Sequence, residues 1–128
     1  LEAVKAAQLE GILPGGGSFL AQQSVTLFNS VKEKVENEWQ ELGVKIVESA
    51  IREPLVQMIK NAGESSDIIL SWVMEETEGH GYDLKENKIT NMLEAGIIDP
   101  ARVTRCALQN SMSVAGTLIT SNYAIVEL

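Results

Sequence analysis

The sequence predicts a mainly helical fold with a minor β component. Three observations carry this. Apolar residues recur at three- and four-residue steps from Trp39 to Ala62. Asp99-Pro100 marks a second strong helix start, an acidic residue followed by proline at the first helical position. Tyr123 to Leu128 is apolar and β-prone, as a short strand in need of a partner would be.

Taken in order, residues 1–10 read as a helix with Leu1, Val4, Ala7 and Leu9 on one side, stopped by Gly11. Gly11 to Gly17 is a loop. Phe19, Leu20, Val25, Leu27, Phe28 and Val31 then mark a second helix, and Lys32 to Asn37 is a charged, solvated connector. In the long helix Trp39, Leu42, Ile46, Ala50, Leu55, Met58 and Ile59 set the apolar face. Pro54 is expected to kink or break it, because it has no backbone N–H to donate. Asn61-Ala62-Gly63 reads as its C-terminus. Ser65, Ser66 or Asp67 caps the next helix, with Ile68, Ile69, Trp72 and Val73 as its face, ending over Thr77 to Gly81. Tyr82 to Ile89 suits a small hairpin turning at Lys85-Glu86-Asn87. Asn91 to Ala95 is one helical turn closed by Gly96. The final helix, Ala101 to about Thr120, presents Val103, Ala107, Val114 and Leu118 to a core.

The chain has 128 residues, the length of one ordinary domain. Hydrophobic residues make up 45% and charged residues 22%, which excludes a disordered chain. The net charge is −8, which argues against nonspecific binding to nucleic acid or anionic membranes. One cysteine and one histidine exclude a disulfide framework and zinc sites of ordinary spacing. No apolar run approaches the roughly 20 residues that span a bilayer, and no secretory signal is visible. Leu1 is not a start methionine, so the sequence is expected to begin at a cut or processing boundary.

Few residues carry chemistry. Gly15-Gly16-Gly17 precedes a helix, so a phosphate or ribose could approach bare backbone at a positive helix end; the plain alternative is a flexible connector. No Gly-Lys-Ser/Thr follows, so it is not a Walker loop. Asp99 could accept two hydrogen bonds from vicinal hydroxyls, although capping its own helix is the favoured local role. His80 reads as an exposed loop residue. Cys106, Trp39 and Trp72 read as core. Glu75, Glu76 and Glu78 read as a solvated helix end. No catalytic set and no metal site is expected.

Together the motifs resemble one family. Glu10-Gly11-Ile12-Leu13-Pro14-Gly15-Gly16-Gly17 is similar to the EG-hydrophobic-GGG segment of group I, GroEL-type chaperonins. Asn61-Ala62-Gly63 and Gly81-Tyr82-Asp83 match further landmarks. The most specific stretch runs from Gly96 to Arg105, then Ala107-Leu108-Gln109-Asn110 and Ser113-Val114-Ala115-Gly116. Pro14, Leu93-Glu94-Ala95-Gly96 and Arg105-Cys106-Ala107-Leu108 look most like plastid-type members.

The resemblance implies the C-terminal half of the equatorial, ATP-binding domain: a single, incomplete domain over residues 1–128, a partial helical bundle with a small β-hairpin and a C-terminal strand. It implies an ATP-dependent folding machine of two stacked seven-membered rings, a plastid-type organelle or bacterial cytoplasm as its setting, and other subunits as partners. Unfolded clients and the lid cochaperonin would bind absent domains. By position, Gly15 and Gly16 would approach the nucleotide through the backbone. Asp83, Leu84 and Lys85 would line its adenine-ribose side, where the family usually carries Asn-Ala-Ala. Ile97 would pack on the base, and Asp99 would bind ribose hydroxyls. Val56 and Ser65 stand where some members have an arginine and a glutamate that pair between rings. The loops that hold phosphates and Mg2+ belong to the N-terminal half, so this chain alone is expected not to hydrolyse ATP.

Overall fold

The computed structural model describes residues 1–121 and Glu127. The elements in chain order are α1 (Glu2–Glu10), β1 (Ile12–Pro14), α2 (Ser18–Val31), α3 (Glu38–Asn61), α4 (Ser66–Glu75), β2 (His80–Asp83), β3 (Lys88–Asn91), β4 (Ile98–Pro100) and α5 (Ala101–Thr120). A single 3-10 turn, Lys32–Lys34, follows α2. The class is mainly α, as expected. The strand expected over Tyr123 to Leu128 lies outside the described residues, apart from Glu127.

The chain divides into two compact units. The larger holds residues 13–98. Among the described residues, the smaller joins residues 1–12 to residues 99–121. β1 and β4 are where the chain passes from one to the other.

In the larger unit the core is Ala21, Leu55, Ile59, Ile69, Val73 and Tyr82, with Leu70, Leu84 and Ile89 packed against it. α2 contributes its smallest residues. Ser18, Ala21 and Ser24, three apart, are its buried positions, whereas Val25 is exposed. Each buried hydroxyl bonds to its own chain: Ser18 Oγ donates to Gly15 O at 2.7 Å and Ser24 Oγ to Ala21 O at 2.6 Å. Neither therefore incurs the cost of an unmade hydrogen bond. A seam of small residues lets the two backbones approach, and α3 answers with Ile51, Leu55 and Ile59 at four-residue spacing.

α3 runs unbroken through Pro54. Of the kink or break expected there, the break does not occur. The buried seam spans the proline on both sides, and its packing offsets a lost backbone bond and ring clash of about 3 kcal/mol. Asn37 caps the helix, its Oδ1 accepting from Gln40 N at 3.0 Å, while Gln40 Oε1 accepts from Glu36 N at 2.7 Å. The other end is a Schellman turn: Glu64 N donates to Ile59 O, Gly63 N donates to Lys60 O, and Gly63 sits at φ 78°.

Several expected core positions are exposed. Trp39 is 82% exposed, and Leu42, Ile46 and Met58 lie open on α3. On α4 only Ile69 and Val73 are buried. Trp72 is half exposed and leans on Tyr82, ring centroids 6.3 Å apart. β2 and β3 form the expected antiparallel hairpin, pairing His80 with Asn91, Gly81 with Thr90, Tyr82 with Ile89 and Asp83 with Lys88. Asn87 closes its turn at φ 55°. Residues 92–96 form a turn in which Ala95 N donates to Asn91 O.

In the smaller unit α1 packs beside α5. Ala6 is the residue α1 buries, while Leu1, Val4 and Leu9 are exposed. α5 has the expected bounds, but none of its residues is buried, and Val103, Val114 and Leu118 are all open. Cys106 is half-buried.

Candidate functional site

The glycine turn is built so that no side chain fits inside it. Gly15 N donates to Ile97 O at 2.8 Å. A Cβ on Gly15 would lie 3.0 Å from Ile98 N and 3.1 Å from Ile97 O. Gly16 and Gly17 both take left-handed backbone, φ 65° and 76°, which glycine adopts without strain. A Cβ on Gly16 would meet Met92 Cε at 3.1 Å and Ile97 Cγ2 at 3.7 Å. Gly17 is the N-cap of α2, with no side chain answering the first N–H groups and no acidic residue in the first turn. Bare backbone therefore stands at the positive end of a 14-residue helix, a setting that suits an anion or a close-approaching polar ligand. Gly15, Gly16 and Ile97, three of the sequence candidates, come together here.

Asp83, Leu84 and Lys85 share the hairpin turn. The Asp83 carboxylate closes that turn, with Oδ1 accepting from Lys85 N at 2.9 Å and Glu86 N at 3.2 Å. Leu84 packs on the core. Lys85 is exposed. What this turn offers outward is backbone, the Lys85 cation and the Glu86 carboxylate. The hairpin abuts the start of α2, since a Cβ on Gly81 would lie 2.6 Å from Ser18 Cβ.

Asp99 is exposed on β4, in the smaller unit. It does not cap α5. The N-cap is Pro100, at φ −64° and ψ 132°, with no side-chain cap. A residue before proline is driven to extended backbone, and Ala101 N donates to Gly11 O at 3.0 Å instead. Of the two roles open to Asp99, capping is thus excluded.

Within the smaller unit Glu10 and Arg105 form a two-pronged ion pair: Nη2 to Oε1 at 2.7 Å and Nε to Oε2 at 3.1 Å. Arg102 Nε stands 3.8 Å from the same carboxylate. The hydrogen bond from Arg105 chiefly holds the Glu10 carboxyl below its ordinary value, and Glu10 in turn raises the Arg105 guanidinium.

Sequence reasoning missed Gln22 and Met92, which carry no motif. Met92 is 1% exposed and walls the glycine turn. The structure also moves His80 from a loop to β2, half-buried. Among the described residues no helix is long and apolar enough to cross a membrane, and no group of three or more His, Cys, Asp or Glu could hold a metal.

Residues 1–127 match the TCP-1/cpn60 chaperonin family model. The fold is similar to a group III chaperonin in the open state, at TM-score 0.83 and 30% identity, covering 94% of this chain and 25% of that one. It is also similar in fold to the open-state monomer of a group II chaperonin from Methanococcoides burtonii, at TM-score 0.82 and 20% identity, covering 92% and 30%. The chain thus spans a quarter to under a third of these relatives. The partial equatorial helical bundle with a small hairpin, implied by the sequence motifs, is the fold observed. The chain belongs to the TCP-1/cpn60 chaperonin family.

Proposed function

We propose that this chain is part of the ATP-binding equatorial domain of a ring-forming, group I chaperonin of plastid type, and that its glycine turn takes the nucleotide. One observation carries this reading. The backbone of Gly15 to Gly17 carries no side chain, is left-handed at Gly16 and Gly17, is anchored by Gly15 N to Ile97 O, and leads into the uncapped, positive end of α2. ATP fits such a cradle because its polar groups can approach backbone N–H directly.

In this reading Gly15 and Gly16 meet the nucleotide through the backbone, and Ile97 packs on the base. The backbone of Asp83, Leu84 and Lys85 lines the adenine-ribose side, and the exposed carboxylate of Asp99 accepts from ribose hydroxyls. Mg2+ is held by residues outside this chain. Bound ATP supplies the phosphoanhydride whose hydrolysis would time release of an enclosed client. Partners are neighbouring subunits, unfolded clients and a lid cochaperonin, the last two through other domains.

The test is calorimetric titration of a non-hydrolysable ATP analogue into the full-length protein and its Gly16→Val and Asp99→Ala variants. Loss of binding in both supports the reading. A wild-type protein that binds no nucleotide, as a free-standing interaction module would, overturns it, and so do variants that bind as well as wild type.

A further inference from the structure

Gln22 lies on α2, one turn beyond Ser18, on the helix that begins at the glycine turn. Its amide nitrogen is 2.6 Å from the carbonyl oxygen of His80 and 3.2 Å from those of Val73 and Thr77. Its amide oxygen accepts from Gly79 N at 3.3 Å. One side chain thereby gathers the last turn of α4, the loop after it and the first residue of β2. β2 leads directly to Asp83, Leu84 and Lys85.

The lower end of β2 is already set against α2 by the close fit of Gly81 on Ser18. Gln22 adds a second, polar fixing point one turn along. Core packing fixes β2 further along, through Tyr82, but does not reach this end of the strand. Gly79 has no side chain, and Thr77 and Glu78 are exposed.

We infer that Gln22 is a positioning residue for the nucleotide, setting the hairpin turn at Asp83 to Lys85 relative to the glycine turn at Gly15 to Gly17. The inference rests on the nucleotide reading above. Gln22 itself touches no ligand. It acts through the backbone it holds, so its loss blurs the adenine-ribose side and spares recognition of the phosphates.

The experiment titrates ATP and inorganic tripolyphosphate separately into the full-length protein and its Gln22→Met variant. Methionine keeps the length of the side chain and removes both hydrogen-bonding groups. Losing this set of bonds is expected to weaken ATP about tenfold, with tripolyphosphate unchanged. Amide exchange should rise over residues 80–91 and not at the glycine turn. Equal ATP affinity in the variant and wild type overturns the inference, as does an equal loss for both ligands, which marks a merely structural role. Should Gln22→Met not assemble, Gln22→Glu decides by the same two titrations, since it keeps an oxygen for Gly79 N and loses the donor. A wild-type protein that fails to bind ATP overturns the nucleotide reading itself, a result distinct from either of these.

Discussion

Gly17 meets the backbone of Leu55 with no room for a methyl group: a Cβ on Gly17 would lie 3.0 Å from the Leu55 nitrogen and Cα. Backbone cannot swing aside as a flexible side chain can, and Gly17 also sits at φ 76°. Gly17→Ala is therefore expected to destabilise by about 2 kcal/mol or more, from left-handed strain and overpacking together. Gly43 is the internal control. It lies inside α3 with nothing within 4 Å of a built Cβ, so Gly43→Ala is expected to stabilise by about 0.5–1 kcal/mol. Urea denaturation of the two variants checks both signs.

The Asn37 cap is worth about 1 kcal/mol. Asn37→Ala leaves Gln40 N without its side-chain acceptor, so the first turn of α3 is expected to fray. Faster amide exchange over residues 38–41, with the seam at Ile51, Leu55 and Ile59 still protected, is the expected pattern. Uniform loss of protection would contradict it.

Acid should loosen α1 from α5. The Glu10 carboxyl is lowered from its ordinary value of 4.5, first by the Arg105 hydrogen bond. A carboxylate with a depressed folded-state pKa stabilises fully above its unfolded value. That contribution disappears as pH falls from about 4.5 through the lowered value. The pair is exposed, so the effect is modest and screened by salt. NMR titration of the Glu10 side chain in low salt, with amide exchange in α1, reads it. Glu10→Gln should abolish the dependence in that window.

On its own in solution, the chain is expected to self-associate. Trp39, Leu42 and Ile46 lie open along α3 at helical spacing, and Val114 and Leu118 lie open along α5. Exposed apolar stripes of this kind drive association in water. Light scattering across a dilution series should show mass falling with concentration. A monodisperse monomer throughout would refute this.

Regular structure was legible wherever local chemistry decides it. α5 has its expected bounds. Gly63 supplies the left-handed stop of α3, and the hairpin turns where Lys85-Glu86-Asn87 placed it. Burial was less legible. Periodicity finds an apolar stripe but not which part of it is covered, so Trp39 and Leu55 look alike in sequence and differ in exposure. The seam of Ser18, Ala21 and Ser24 was invisible, because small polar residues announce a close helix contact only when the partner is known. Of the candidate site, the glycine turn and Ile97 could be read from motif. The capping role favoured for Asp99 could not survive Pro100, whose extended backbone moves the helix start beyond reach. Gln22 has no motif at all, since its partners are four distant backbone groups.

The hydrogen bond from Gly15 to Ile97 has a consequence for the order of folding. Both residues lie just inside the boundaries of the larger unit, so this bond closes that unit at its own neck. The smaller unit is assembled from segments on either side of it. Pairing α1 with α5 before the larger unit forms would mean closing one very long flexible loop at its full entropic cost. Once residues 13–98 are folded, most of that loop is already spent and the two flanking segments emerge as near neighbours. The larger unit is thus expected to fold first as a self-contained insertion, and α1 and α5 to zip together afterwards as the late, local step.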